Sequence, residues 1–180
     1  KFLDSNSVVI EAGSHIGTDT VKLSKVCKHV YAFEPMPLSY DILCQNLEMN
    51  DCNNVTIYKK GLSDKPGHTH VSCIYNDNPG GTQLHGGEDA SNFNEVIEIE
   101  LVTIDDLCLN QLDYIKIDVE SYEHLVINGG INTIKKHRPI IILEYWERSK
   151  TPIQDKFKLL IDLGYRYEHY SFADYLFFPY

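Results

Sequence analysis

The chain has 180 residues, of which 43% are hydrophobic and 23% charged, with seven prolines scattered through it. These proportions suit one folded domain with a continuous core, and disorder is not the default for them. Its 26 acidic residues against 16 basic ones give a formal net charge of −10. No basic run offers the counterion-releasing surface that nucleic acid requires, so nucleic acid is not an expected partner.

No apolar stretch approaches the roughly 20 residues that span a bilayer, and no charged-then-apolar leader opens the sequence. The five cysteines, Cys27, Cys44, Cys52, Cys73 and Cys108, show neither CxxC pairing nor zinc spacing. Reduced thiols, many of them buried, in a cytoplasmic compartment are therefore expected. An opening Lys1 in place of Met leaves room for a longer, multidomain parent chain.

In chain order, residues 7–11 (SVVIE) form an apolar run closed by an acid. The glycine-bearing turn 12–17 follows, and then a helical pattern through Val26. Residues 29–34 (HVYAFE) give a second strand, Pro35 and Pro37 interrupt it, and residues 39–50 carry apolar positions at helical spacing. A third strand over 54–60 completes a β-α-β-α-β alternation, the mark of a doubly wound parallel sheet.

Residues 68–74 and 96–104 alternate as half-buried strands able to pair antiparallel. Between them, residues 75–95 are rich in Gly, Asn and Asp, and a polar loop of about twenty residues inside a compact domain reads as a lid or acceptor-facing loop. The parallel alternation resumes with a strand over 112–118 and a helix over 122–136. Residues 139–144 (PIIILE) then make a buried central strand. A last helix over 153–163 stops at Gly164, and residues 165–169 and 175–178 make a closing antiparallel hairpin. No repeat, linker or low-complexity segment divides the chain, so one domain spans residues 1–180.

The first turn, Glu11-Ala12-Gly13-Ser14-His15-Ile16-Gly17-Thr18-Asp19-Thr20, lies beyond the carboxyl end of the first strand, where such sheets bind ligands. Glycines allow close backbone approach, and the following helix presents unpaired N–H groups to a carboxylate. A dinucleotide fingerprint counted from Gly13 would place glycines at His15 and Thr18, so the pyrophosphate reading weakens. S-adenosylmethionine combines a carboxylate for the helix with an ammonium and a sulfonium that Glu11 attracts. Glu34, ending the second strand, can take both ribose hydroxyls of any adenosyl ligand; its bland alternative is to cap the proline-rich turn.

The chain resembles the FkbM family of methyltransferases from Val8 to about Trp146. VVIEAGSHIGTDT, VYAFEPMPLSYDILCQNLEMN, the turn Gly61-Leu62-Ser63-Asp64, and YIKIDVESYEHLVINGG followed by RPIIILE carry the resemblance. Glu11 stands where the family more often has Asp, and Ser121 where it usually has Gly. The resemblance implies a Rossmann-like class I methyltransferase fold, S-adenosylmethionine as donor, and O-methylation of hydroxyls on sugars, glycans or related metabolites. It also implies that Leu62, Ser63 and Asp64 lie against the adenine. The cofactor set is then Glu11, Gly13, Ser14, His15, Ile16, Gly17, Thr20, Glu34, Pro35, Met36, Leu62, Ser63, Asp64 and Asp118.

Asp118 and Glu120 point the same way if their strand continues, and Glu144 ends the next strand, so three carboxylates are expected to converge. One of them would deprotonate or orient the acceptor hydroxyl, while capping of the next helix is the competing role for Asp118 or Glu120. The same three could hold a divalent cation such as Mg²⁺, which is not required by the reading. His85, between Gly80-Gly81 and Gly86-Gly87, is a second candidate base or else a solvated loop histidine. His124 stands in the first turn of a helix after the acids, and Trp146 offers an aromatic face to a sugar or covers the sheet edge. Rival readings are a nicotinamide-dependent oxidoreductase on the same sheet and a non-catalytic cofactor-binding module.

Overall fold

The computed structural model describes residues 2–73, 95–145 and 151–180. The first strand, β1 (Val8–Ala12), is buried at every position, as a strand covered on both faces of a parallel sheet must be. It is followed by α1 (Thr18–Ser24), β2 (His29–Phe33), α2 (Pro37–Met49) and β3 (Val55–Tyr58). Pro37 opens α2, where its missing N–H costs nothing.

After β3 come three strands of a small separate sheet, β4 (Gly61–Leu62), β5 (Gly67–Cys73) and β6 (Glu95–Val102), in the order β4-β6-β5. β5 and β6 pair antiparallel as their alternation predicts, and β4 adds a parallel edge. The chain returns to the main sheet with β7 (Tyr114–Ile117), then α3 (Glu123–Gly129), α4 (Ile131–His137) and β8 (Ile140–Glu144). It closes with α5 (Ile153–Lys156), α6 (Lys158–Asp162) and the hairpin β9 (Tyr165–Ser171) and β10 (Asp174–Pro179).

The main sheet has seven strands in the order β3-β2-β1-β7-β8-β10-β9. β3 to β8 run parallel in that row; β10 is antiparallel to both β8 and β9. The order reverses between β1 and β7, the switch point at which open α/β sheets bind ligands. One cluster built on Ile10, Phe33, Ile115, Ile117, Ile141, Phe157 and Phe177 forms the main core. A satellite of Val71 and Ile99, packed against Met36, Ile97 and Leu101, joins the small sheet to the site.

Two predicted helices are each interrupted. The helix expected over 122–136 leaves helical geometry at Gly130 (φ −113, ψ 8), and that over 153–163 breaks at Phe157 (φ −110, ψ 33). At Phe157 the break buries the ring edge-on against Tyr145 and Phe177. Among the four cysteines whose side chains are described, Cys27 is buried. Cys44 and Cys52 are half-buried and Cys108 is exposed, so the expectation that many of the thiols are buried is corrected for these four. The loop at 75–95, except for Glu95 at the head of β6, lies outside the described residues, as do His85 and Trp146. No described helix is long and apolar enough to cross a membrane.

Candidate functional site: a cavity at the switch point

The turn after β1 is fixed before any ligand is considered. The Gly13 and Ser14 amides both donate to the Phe33 carbonyl at 3.0 Å, tying the loop across β2, and Asp118 N–H donates to the Ala12 carbonyl at 2.9 Å, tying β7 to its base. Gly13 has φ 83, and a Cβ there would overlap the Asp118 carbonyl oxygen. Glycine is thus required twice over, for its left-handed backbone and for the space.

Glu34 follows β2 directly and is 6% exposed. Its Oε2 accepts the His15 amide at 2.8 Å and its Oε1 the Met36 amide at 2.9 Å. Each carboxylate oxygen takes one of these amide bonds and has further acceptor capacity, so the side chain organises its loop without using all its lone pairs. Burial pushes its carboxyl above the ordinary range, with the two amides and His15 pulling the other way.

A cavity of about 700 Å³ opens over these groups, within the range of ligand pockets. Gly13, His15, Glu34, Pro35 and Met36 make one wall; Leu62, Ser63 and Asp64 another; Asp118, Val119, Glu120 and Tyr122 a third. Val71, Ile99 and Leu101 of the small sheet form an apolar roof that sequence reasoning did not assign. Its signal was present in the alternation of residues 96–102, but which ligand face it would cover depends on the packing of two sheets.

Glu11, Ser14, Ile16, Gly17 and Thr20 are not in the cavity wall. Glu11 is 1% exposed and lies beneath the turn, where Thr20 Oγ1 donates to its Oε2 at 2.5 Å. Lys116 Nζ stands 3.9 Å from Glu11, 3.5 Å from Asp19 and 3.7 Å from Asp118. Burial, with the Asp19 charge, pushes Glu11 up against the pull of Thr20, Lys116 and Ser14. For Lys116, burial pushes down, but Glu11, Asp118 and Asp19 more than offset it and its pKa is raised. A lysine inside the otherwise apolar run YIKI was the sequence signal for this cluster. Gly17 (φ 88) leads into α1 with Leu43 against it.

The expected convergence of three acids is only partly realised. β7 ends at Ile117, so Asp118 and Glu120 do not share a strand face; Glu120 (φ 50) and Ser121 (φ 82) instead form a left-handed turn. Both acids still line the cavity, and burial together with the Asp118 charge pushes Glu120 up. Glu144 is not in the wall, because it ends β8, one strand farther out, in register with Asp174 of β10. Asp118, Glu120 and Glu144 therefore do not form the metal-holding group considered from sequence. Among the described residues, no cluster of three or more His, Cys, Asp or Glu side chains is placed to bind a metal ion. His124 is also outside the wall; its buried Nδ1 has no hydrogen-bond partner among the described residues.

A seven-stranded sheet of this order, with its penultimate position reversed and a ligand cavity at the β1/β7 switch point, defines a class I methyltransferase fold. The chain belongs to the FkbM methyltransferase family: the pattern of the family described as Methyltransferase FkbM domain matches residues 11–167. Methyltransferase sdnD of Sordaria araneosa is 26% identical, over 82% of this chain and 69% of its own length.

Among solved structures, methyltransferase FkbM from Methylobacillus flagellatus KT superposes with a TM-score of 0.68 at 18% identity. That match covers 97% of this chain, which spans only 44% of the Methylobacillus chain. SMU.1697c from Streptococcus mutans, in complex with SAH, superposes with a TM-score of 0.57 at 16% identity, covering 98% of this chain and 89% of its own.

Proposed function

We propose that the chain transfers a methyl group from S-adenosylmethionine to a hydroxyl oxygen of a sugar, glycan or related small metabolite. The observation that carries the cofactor reading is Glu34, buried in the cavity wall with each oxygen held by one loop amide and with acceptor capacity left for two ribose hydroxyls. The apolar roof of Val71, Ile99 and Leu101, with Met36 and Leu62, suits an adenine ring. The Gly13–His15 backbone admits the amino-acid end. The bound cofactor would supply an activated methyl group on sulfur.

The chain's own contribution is placement and proton handling. Asp118 and Glu120 line the cavity beyond Gly13, where one of them takes the proton of the acceptor hydroxyl as its oxygen attacks. Glu120 suits that role better, because burial and the neighbouring Asp118 favour its protonated form after transfer. Glu144, outside the wall, and His85, outside the described residues, are not needed for it. Nucleic acid acceptors are disfavoured by the charge of −10.

Incubation with methyl-labelled S-adenosylmethionine and a panel of sugars, glycans and phenols, with and without EDTA, tests the reading. Label on a hydroxyl oxygen supports it, and label only on nitrogen or carbon acceptors contradicts it. Loss of transfer with EDTA would restore a metal to the mechanism.

A further inference from the structure

The cavity wall between β7 and α3 is built from backbone that ordinary side chains avoid. Glu120 (φ 50) and Ser121 (φ 82) are consecutive non-glycine residues in the left-handed region. Such outliers persist only where the surroundings hold them. The holding group is Glu123, at the first position of α3 and 3% exposed, whose Oε1 accepts the Ser121 amide at 2.8 Å.

Glu123 does not itself line the cavity, whereas Val119, Glu120 and Tyr122 on the turn all do. A carboxylate this buried is retained at the cost of its desolvation, and burial pushes it up while the Ser121 amide is among the bonds that pull it down.

We propose that Glu123 is a positioning residue: by accepting the Ser121 amide it keeps the Glu120–Ser121 turn left-handed, and so keeps Val119, Glu120 and Tyr122 in the cavity wall. Its effect on ligand binding rests on the reading of the cavity as the S-adenosylmethionine site.

Four variants test it: E123Q, which keeps an acceptor oxygen; E123A, which removes it; S121G, which makes the left-handed backbone free of strain; and the double variant S121G/E123A. With S-adenosylhomocysteine as probe in calorimetry, E123A should bind about tenfold more weakly than the parent, and E123Q within about twofold of it. The double variant should recover to within about threefold, because glycine adopts the turn without the carboxylate. A double variant as weak as E123A, or an E123A that binds like the parent, overturns the proposal.

S121G alone should raise Tm by about 2–4 °C; a lower Tm contradicts the strain on which the argument stands, and this arm remains decisive if E123A does not fold. If the parent protein binds no S-adenosylhomocysteine, the cofactor reading fails, and the turn is judged without ligand. The Ser121 amide should then be exchange-protected in the parent and in E123Q, exposed in E123A, and its exposure in the parent would overturn the proposal.

Discussion

Glu11 and Glu34 are both buried carboxylates beside the turn after β1, and both have raised pKa values, chiefly because of burial. A carboxyl whose folded pKa lies above its unfolded value, near 4.5, contributes stability below that value, and the contribution is lost as pH rises through the folded pKa. The neutral isostere E11Q escapes that loss because it does not ionise, and its amide oxygen can still accept the Thr20 hydroxyl. Urea unfolding from pH 4 to pH 8 should show the stability of E11Q gaining on the parent as pH rises. E11Q losing ground to the parent as pH rises would show that Lys116 stabilises ionised Glu11 more than burial penalises it. At Gly13 the effect is steric: G13A places a Cβ onto the Asp118 carbonyl at a left-handed position, and should destabilise by about 3 kcal/mol or more, read as a fall in urea midpoint.

At the scale of elements, α3 is pressed against the loop that walls the cavity. A Cβ on Gly129 would overlap the Ser63 carbonyl oxygen and stand 3.1 Å from the Asp64 Cα. Alanine is ordinarily the better helix former by about 1 kcal/mol, so helix propensity predicts that G129A stabilises; the packing predicts that it destabilises by about 2 kcal/mol and weakens cofactor binding. In the roof, Ile99 is 6% exposed within a small satellite cluster, and I99A should cost about 2 kcal/mol, at the low end for such truncations. The alternation of β5 and β6 and the closing hairpin were legible because their periodicity is local. The breaks at Gly130 and Phe157 were not, since the apolar spacing runs on across both and the interruptions fall where Gly130 meets Ile104 and where Phe157 meets Tyr145 and Phe177, residues distant in sequence. The Glu120–Ser121 turn was hidden for a related reason: neither residue carries the glycine that announces a left-handed backbone, and Glu123 makes up the difference.

For the molecule as a whole, the β-α-β alternation announces a parallel sheet that binds ligands beyond the carboxyl ends of its strands, and the observed strand order puts the switch point between β1 and β7. That is why Gly13, Glu34 and Asp118, separated in sequence, were predicted to meet and do line one cavity. What sequence could not give was depth: Glu11 and Glu144 carry the same charge as Glu34 and Glu120, yet the first lies beneath the turn and the other one strand away from the site. The central claim is that this cavity binds the adenosyl cofactor through Glu34. Calorimetric titration of the parent and of E34A with S-adenosylhomocysteine tests it most directly. The parent should show saturable binding at one site, weakened at least tenfold in E34A. No binding at millimolar ligand, or equal affinity in a folded E34A, would contradict it.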